Sequence, residues 1–233
     1  MTLPLYRDAY LREAKARVTA LTDEGGVVLD ASLFYPTGGG QPGDGGLIAW
    51  DGGEMAVATT VKGEEGSIVL VPGEGAILPP VGAEVAQTLD WNRRQAHMRV
   101  HTALHLLSVV IPLPVTGGSI SPEKGRLDFD MADAPEDKQA LEDALNALIR
   151  ADHPVTEEWI TDEELAANPG LVKTMSVKPP VGQGRVRLVR IGDIDLQPCG
   201  GTHVRSTAEI GPVRLGKIEK KGRQNRRVAI HLA

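Results

Sequence analysis

Two short stretches of this chain carry side chains that could share one metal ion. The first, HTALH at residues 101–105, places two histidines four residues apart. On a helix this spacing puts both imidazoles on one face, where they can converge on one point. The second, CGGTH at residues 199–203, offers a thiol and an imidazole at the same spacing. Three imidazoles and one thiolate suit Zn²⁺, a borderline-soft ion.

Each stretch alone has an ordinary alternative explanation. Two helical histidines at this spacing often lie on a surface, and a lone cysteine is often a buried residue beside a turn. HTALH also differs from the H-E-x-x-H pattern of zinc proteases, because Thr102 takes the place of the glutamate that would act as general base. A metallopeptidase is therefore not indicated. His97, one turn earlier, is predicted to be structural or to face RNA.

The composition is that of a globular protein. Hydrophobic residues make up 41% of the 233 residues and charged residues 24%, enough apolar surface for a core. A single cysteine excludes an intrachain disulfide and favours a reducing compartment. The N-terminal residues do not form a signal peptide, and no run reaches the roughly 18 apolar residues that a membrane helix requires. We therefore expect a cytoplasmic protein without a membrane partner.

Charge is distributed unevenly along the chain. The net charge of −6 argues against a general nucleic-acid binder, but residues 171–233 hold 13 Lys and Arg against four Asp and Glu. Such a basic region can bind an anionic partner through phosphate contacts. The cations that could make such contacts are Lys217, Lys220, Lys221, Arg223, Arg226 and Arg227. The alternative is a solvated β-hairpin with no partner.

The first part of the chain, residues 1–89, is predicted to form a small β-barrel or sheet. Short apolar runs at residues 27–29, 55–61, 67–71 and 84–89 are separated by glycine-rich turns. Strand-length runs at this spacing are typical of all-β domains.

The character of the sequence changes at Asp90. Residues 90–111 contain no proline or glycine and repeat apolar residues every three or four positions, which predicts a helix capped by Asp90. A second helix is predicted to begin at DAPE, residues 133–136, and strands are predicted at residues 126–130, 155–160, 186–191, 213–218 and 227–232. The second domain, residues 90–233, is thus expected to place two main helices on a mostly antiparallel sheet. The predicted fold class is α+β.

Three motifs resemble one known family. HTALHLL at residues 101–107 and CGGTHV at residues 199–204 are similar to the paired motifs of the editing domain of alanyl-tRNA synthetase and of the free-standing alanyl-tRNA editing proteins. FYPTGGGQPGD at residues 34–44 resembles the glycine-rich motif of the barrel that medium-length members carry before the editing domain. The motifs stand in the family's order and cover most of the chain.

The resemblance implies an activity and a set of site residues. The family hydrolyses the ester that joins serine, and sometimes glycine, to the alanine tRNA, a step in translation fidelity. The implied Zn²⁺ ligands are His101, His105, Cys199 and His203. The implied substrate-binding residues are Thr116, expected to contact the serine hydroxyl, and Gln41 and Asp44, expected to face the editing site. Beside the tRNA site that the resemblance implies, the six cations of the basic run are predicted to bind RNA. Nucleotide binding is implied only through the relation to a synthetase.

Nothing in the chain resembles an aminoacylation domain, so the protein is expected to act in trans. Four protein ligands would complete a tetrahedral shell, which is typical of structural zinc sites. Hydrolysis would then need a displaceable ligand, a fifth coordination position, or an ion that only positions the substrate. The alternatives are a non-catalytic zinc-stabilised RNA-binding module and a deacylase for another mischarged tRNA. The residues identify neither a general base nor an oligomeric state.

Overall fold

The computed structural model describes residues 1–174 and 184–233, which separate into two compact units, Met1–Gln95 and Ala96–Ala233. Among these residues, no helix combines the length and apolar character needed to cross a membrane.

The first unit is built around a closed β-barrel with the strand order β2-β3-β7-β6-β5-β8. Its strands are β1 (Leu3–Pro4), β2 (Glu13–Leu21), β3 (Val27–Leu29), β4 (Ala31–Ser32), β5 (Gly46–Trp50), β6 (Gly53–Lys62), β7 (Ile68–Pro72) and β8 (Glu84–Leu89). Alternate residues of β6 and β8 are buried, as expected for strands with one face toward a core. The predicted barrel is confirmed.

One long barrel strand, β2, has no counterpart among the predicted strands. Its sequence EAKARVTAL alternates small and charged residues, and Val18 is its one fully buried side chain. Such a strand lacks the apolar signal on which the prediction depends. Its pairing with β3 and β8 holds it in place instead.

The long helix α1 (Trp91–Val110) begins in the first unit and continues into the second. The predicted cap is confirmed, because the Asp90 carboxylate accepts a hydrogen bond from the Arg93 backbone N–H at 3.1 Å. Every residue from position 100 to position 108 is buried, so this part of the helix is enclosed on all sides. Gly125 allows a strand to approach closely, since a Cβ there would lie 2.6 Å from the Val100 side chain.

The described residues of the second unit, 96–174 and 184–233, form two antiparallel sheets, ordered β14-β15-β10-β9 and β11-β12-β13. Its further elements are β9 (Val115–Ile120), β10 (Lys124–Asp130), α2 (Lys138–Arg150), β11 (Val155–Ile160), α3 (Asp162–Ala167), β12 (Val186–Ile191), β13 (Asp195–Pro198), β14 (Val213–Lys220) and β15 (Asn225–Leu232). The edge of β14 is covered by α2, whose Asn146 exchanges two hydrogen bonds with the Val213 backbone. The α+β class is confirmed.

The predicted start of the second helix is wrong by about one turn. The cap is Asp137, whose carboxylate accepts a hydrogen bond from the Ala140 backbone N–H at 2.8 Å, and α2 begins at Lys138 rather than at residues 133–136. Both sites offer an acidic residue before a helical sequence, but the buried stripe of α2 begins only after Asp137, at Leu145 and Ile149. The five strands predicted for this unit are confirmed as β10, β11, β12, β14 and β15.

Candidate metal centre

The two sequence stretches meet in the second unit. His101, His105, Cys199 and His203 each present one ligand atom, and these four atoms lie within 4.8 Å of one another. The imidazole ring centres of His101 and His203 are 4.3 Å apart, and those of His105 and His203 are 4.7 Å apart. All three histidines are buried, while Cys199 is partly exposed.

The distances fit a tetrahedral metal ion. Zn–S bonds of about 2.3 Å and Zn–N bonds of about 2.0–2.1 Å place sulfur and nitrogen about 3.6 Å apart in a tetrahedron. Cys199 Sγ lies 3.4 Å from His101 Nε2 and 3.2 Å from His203 Nε2. The donor set therefore has the chemistry and the spacing that a borderline-soft divalent ion requires.

Two kinds of backbone hold the ligands. His101 and His105 project from the enclosed part of α1, which fixes their separation. Cys199 follows β13 directly, and the loop that carries it is held by Arg187 of β12. The Arg187 guanidinium donates to the backbone oxygens of Cys199 at 2.7 Å and Gly201 at 2.9 Å. The loop is therefore anchored on the sheet before it reaches His203.

His105 is oriented by a buried carboxylate. Its Nδ1 lies 3.1 Å from Asp195 Oδ2, and the Asp195 side chain is 0% exposed. Lys173 Nζ donates to the other carboxylate oxygen at 2.5 Å, and Gln197 Nε2 donates to Oδ2 at 2.8 Å. Since Nδ1 faces Asp195, the remaining nitrogen, Nε2, is the one available to a metal ion.

His203 is oriented by a neutral hydroxyl. Its Nδ1 lies 3.2 Å from Thr102 Oγ1, and that hydroxyl donates its own proton to the Met98 backbone oxygen at 2.9 Å. The hydroxyl oxygen must therefore accept from His203, which places the imidazole proton on Nδ1. The same oxygen accepts from the Val204 backbone N–H at 3.3 Å. His203 Nε2 thus keeps its lone pair for the metal.

The protonation states of the cluster reflect burial and mutual charge. Burial would raise the pKa of Cys199, but electrostatic interactions with His101 and His203 and hydrogen bonds with His101 and His105 lower it well below its usual value, which favours thiolate. Burial lowers the pKa of His203 to about 3, so this imidazole is neutral. Burial would also lower the pKa of His105, but hydrogen bonds with Asp195 and Cys199 raise it to about 9. A metal ion would therefore displace a proton from His105.

Asp195 stays ionised at neutral pH. Burial would raise the pKa of its carboxyl group, but hydrogen bonds with His105, Gln197 and Lys173 together with the His105 charge lower it to about 2. Lys173 also lines a cavity of about 550 Å³ next to the C-terminal end of α1. The Asp195 carboxylate, which orients His105, is thus bound by a lysine that lines a cavity.

Thr116, the predicted contact for the serine hydroxyl, lies on β9 and is partly buried. Its hydroxyl donates to the Asp128 backbone oxygen at 3.0 Å and accepts from Asn225 Nδ2 at 2.8 Å. Because its proton is already donated, this hydroxyl could meet a substrate hydroxyl only as an acceptor. Its role in substrate binding stays a prediction.

Gln41 and Asp44 are buried in the barrel unit. The glycines before Gln41 make a tight turn, in which Gly39 and Gly40 have positive φ angles of 58° and 82° and Gly38 pairs with Gln41. The Asp44 carboxylate accepts hydrogen bonds from Arg94 and from the Tyr35 backbone N–H. Asp44 therefore has a structural partner, and substrate binding by Gln41 and Asp44 stays a prediction.

The six predicted RNA-binding residues divide into two groups. Lys217, Lys220, Lys221 and Arg223 are exposed on the β14–β15 hairpin. Arg226 is buried and donates to backbone oxygens, one of them that of Ala132. Arg227 makes two hydrogen bonds to the Asp128 carboxylate, at 2.8 and 2.9 Å. The guanidinium groups of Arg226 and Arg227 thus donate hydrogen bonds to acceptors within the second unit.

Three residues that support the ligands were missed by sequence reasoning. Asp195 and Lys173 carry no motif of their own, and Thr102, although it lies inside HTALH, was noted only as the residue in place of a glutamate. The sequence did contain a signal for Asp195, because it and Gln197 are polar residues two positions apart on the strand that leads directly to Cys199. Both are buried on one face of that strand, where polar side chains need hydrogen-bond partners. His97 is 1% exposed, so the RNA-facing alternative for it is wrong and the structural one holds.

Both units match families of tRNA synthetase domains. Residues 186–229 match the family described as the threonyl and alanyl tRNA synthetase second additional domain. Residues 8–93 match the family described as tRNA synthetases class II (A). The fold and the candidate metal centre therefore belong to a protein built from synthetase-related domains.

Full-length relatives narrow this class to one family. An alanyl-tRNA editing protein AlaX-M from Methanosarcina acetivorans is 37% identical over 239 residues, which cover 98% of each chain. One from Saccharolobus solfataricus is also 37% identical, with 98% of each chain covered. The alanine–tRNA ligase of Pyrobaculum neutrophilum is 36% identical over 92% of this chain but only 25% of the ligase. This chain belongs to the AlaX-M family of alanyl-tRNA editing proteins, which confirms the resemblance drawn from its motifs.

Proposed function

We propose that this chain is a trans-acting aminoacyl-tRNA deacylase that removes serine, and also glycine, from mischarged tRNA(Ala) with the help of Zn²⁺. The observation that carries the proposal is the convergence of His101, His105, Cys199 and His203 in a chain of this family. Because the substrate is charged tRNA, the protein would work in the cytoplasm.

The ligand residues would hold the ion, and Zn²⁺ would supply Lewis-acid polarisation of the ester carbonyl or a lowered pKa for an attacking water. Asp195 and Thr102 keep the lone pairs of His105 and His203 directed inward. Cys199 is the partly exposed member, so the substrate would approach from the side of this sulfur. His101 and His105 lie on the enclosed part of α1, so the substrate would not reach the ion through this helix.

Thr116 would recognise the serine hydroxyl. A site that accepts a hydrogen bond from the added hydroxyl favours serine over alanine, whereas an apolar pocket separates them poorly. Since the Thr116 proton is donated to the Asp128 backbone oxygen, the serine hydroxyl would be the donor. Replacement of Thr116 by Val removes this acceptor and should reduce the preference for Ser-tRNA(Ala) over Ala-tRNA(Ala).

The proposal is tested by deacylation of tRNA(Ala) charged with serine, glycine or alanine, with release of the amino acid measured over time. The zinc-loaded protein is expected to hydrolyse the seryl and glycyl esters and to leave the alanyl ester intact. Protein treated with a chelator and the variant Cys199→Ala should lose this activity, and added zinc should restore only the former. If neither mischarged tRNA is hydrolysed by the zinc-loaded protein, the proposed activity is wrong.

A second candidate function is a non-catalytic, zinc-stabilised RNA-binding module. The observation in its favour is the set of four protein ligands, which is typical of closed structural sites. Such a module would bind tRNA(Ala) and lose stability without zinc, yet release no amino acid. Binding and deacylation measured on the same zinc-loaded sample therefore separate the two functions. A deacylase for another mischarged tRNA would instead hydrolyse a charged tRNA with a different acceptor.

The exposed cations of the β14–β15 hairpin would contact the tRNA backbone. The logarithm of the tRNA affinity falls linearly with the logarithm of the salt concentration. Loss of one phosphate contact should reduce the slope of this line by about one. The double variant Lys217→Ala/Lys220→Ala is expected to bind tRNA(Ala) more weakly and with a shallower salt dependence. Lys138→Ala, an exposed lysine on α2, is the matched control and should leave the salt dependence unchanged.

A further inference from the structure

The support of His105 has features that a simple structural salt bridge does not need. Asp195 is held by three donors, namely His105 Nδ1, Lys173 Nζ and Gln197 Nε2, which together engage both carboxylate oxygens. The Asp195 side chain is 0% exposed, so its oxygens meet these donors away from bulk solvent. Gln197 is itself close to Ser108 Oγ, at 3.4 Å, on the helix that carries His105.

The direction of the hydrogen bond decides which nitrogen can bind a metal. Lys173 Nζ and Gln197 Nε2 donate to the two oxygens of Asp195, so this carboxylate acts as an acceptor and the proton between His105 and Asp195 belongs to Nδ1. The neutral imidazole then has its lone pair on Nε2, toward Cys199 and His203. The other tautomer would place a proton where the metal must bind. From this geometry we infer that Asp195, braced by Lys173 and Gln197, is a positioning residue that fixes the metal-binding tautomer and ring orientation of His105.

Lys173 and Gln197 contribute by fixing the carboxylate itself. Without Lys173, Oδ1 would lose its donor, and the carboxylate could rotate away from the His105 ring. Lys173 is 30% exposed at its side chain, whereas Asp195 and His105 are buried, so this brace reaches the ligand from the protein surface. Residues that support a metal-bound histidine in this way commonly change metal affinity by about 10–100-fold.

The test is a zinc titration of the metal-free full-length protein in competition with a chromophoric chelator. Asp195→Ala is expected to bind Zn²⁺ about 10–100-fold more weakly than the unmodified protein. Asp193→Asn is the matched control, because it removes one negative charge two residues away at an exposed position, and its affinity should stay within about twofold. Asp195→Asn keeps the side-chain shape and serves if Asp195→Ala does not fold. Its expected loss is smaller, since the amide oxygen can still accept.

A second measurement reads the tautomer directly. In zinc-loaded protein with ¹⁵N-labelled histidine, the His105 Nδ1–H should give a slowly exchanging proton signal in the unmodified protein and in Asp193→Asn. This signal should disappear in Asp195→Ala. Unchanged zinc affinity or an unchanged His105 signal in folded Asp195→Ala would overturn the inference.

The inference rests on the proposed metal centre, and the two fail differently. Failure of the unmodified protein to bind zinc would contradict the metal centre. Normal binding by the unmodified protein together with equal binding by Asp195→Ala would contradict only the role of Asp195.

Discussion

Both units bury a cluster of polar side chains, but the two clusters are built differently. In the barrel unit, the Arg94 guanidinium donates to Asp44 and to the backbone oxygens of Ala9 and Leu33, and its side chain is 0% exposed. Here the donors meet acceptors of the same unit. In the second unit, three imidazoles and a thiol turn their ligand atoms toward one another.

The difference separates a buried polar cluster that stabilises the fold from one that can bind a metal ion. A buried cation directed at oxygens of its own unit stabilises the local fold and has few hydrogen-bonding groups left for a ligand. The converging atoms of the second cluster share a proton on His105 that a metal ion can displace, and the outward nitrogens of His105 and His203 are held by Asp195 and Thr102. Mutations in the barrel cluster should therefore change the free energy of unfolding. Mutations in the cluster of the second unit should mainly change metal binding.

The largest expected effect is on the cluster of the barrel unit. Arg94→Met leaves the buried Asp44 carboxylate without its counter-charge and should lower the free energy of unfolding by about 3–5 kcal/mol. Urea unfolding followed by circular dichroism measures this change. Arg17→Met is the matched control, because Arg17 pairs with Glu84 at the surface and its loss should cost no more than about 1 kcal/mol. Equal stability of the two variants would contradict the architectural role of the Asp44–Arg94 pair.

The next largest effect concerns the converging cluster. At free zinc 100-fold above the dissociation constant, the unmodified protein should gain about 2.7 kcal/mol in stability. Cys199→Ala removes the thiolate, and this zinc-dependent gain should largely vanish while the stability of the metal-free protein changes little. Thermal unfolding with and without zinc measures both quantities.

The control for this prediction lies in the same loop. Gly200→Ala adds a methyl group at a position where no heavy atom lies within 4 Å, so it should keep the full zinc-dependent gain. The same gain in Cys199→Ala would show that the thiolate is not a ligand.

A smaller effect is expected at the neutral support of His203. Thr102→Val removes the acceptor for both His203 Nδ1 and the Val204 backbone N–H. Zinc affinity should fall by about tenfold, which corresponds to about 1.4 kcal/mol. Thr102→Ser keeps the hydroxyl and should retain most of the affinity in the same chelator competition. A loss as large in Thr102→Ser as in Thr102→Val would mean that the methyl group, rather than the hydroxyl, supports the site.

The candidate ligands could be predicted from sequence, whereas the residues that support them could not. His101, His105, Cys199 and His203 are rare residue types at paired spacings, so their chemistry is visible without coordinates. Lys173 is one lysine among many in sequence, and its contact with Asp195 depends on tertiary structure that brings together residues 22 positions apart. Likewise, the strands with apolar alternation were predicted, but β2 is held by pairing and small residues.

The basic run shows that cations close together in sequence can have different surroundings in the fold. Six cations were predicted to contact RNA from their types and proximity. A strand alternates its side chains between two faces, so neighbours such as Arg226 and Arg227 have different surroundings. Arg226 is buried, and Arg227 lies opposite Asp128 in the antiparallel pair of β10 and β15. Sequence alone does not reveal that an acidic residue on the neighbouring strand pairs with such a cation.

The smallest predicted effect tests this last assignment through pH. Burial would raise the pKa of Asp128, but hydrogen bonds from Arg227 and Arg126 lower it below its ordinary value. A carboxyl group whose pKa is lower in the folded state stabilises the protein above its unfolded pKa of about 3.9, and this contribution is lost as the pH falls through the lower folded value. Asp128→Asn should therefore reduce stability at pH 7 by about 1 kcal/mol or less, since such pairs are partly open to solvent.

Below about pH 4 the difference between Asp128→Asn and the unmodified protein should shrink progressively, because Asp128 takes up a proton first in the unfolded state and, at lower pH, in the folded state, whereas the asparagine carries no charge at any pH. Thermal unfolding between pH 3 and pH 7, at roughly constant ionic strength, measures this change. Asp133→Asn, at an exposed position, serves as the control and should show a smaller dependence on pH. A stability difference for Asp128→Asn that is independent of pH would mean that Arg227 is not held by the charge of Asp128. Arg227 would then again be available, as its sequence position first indicated, for contact with a phosphate.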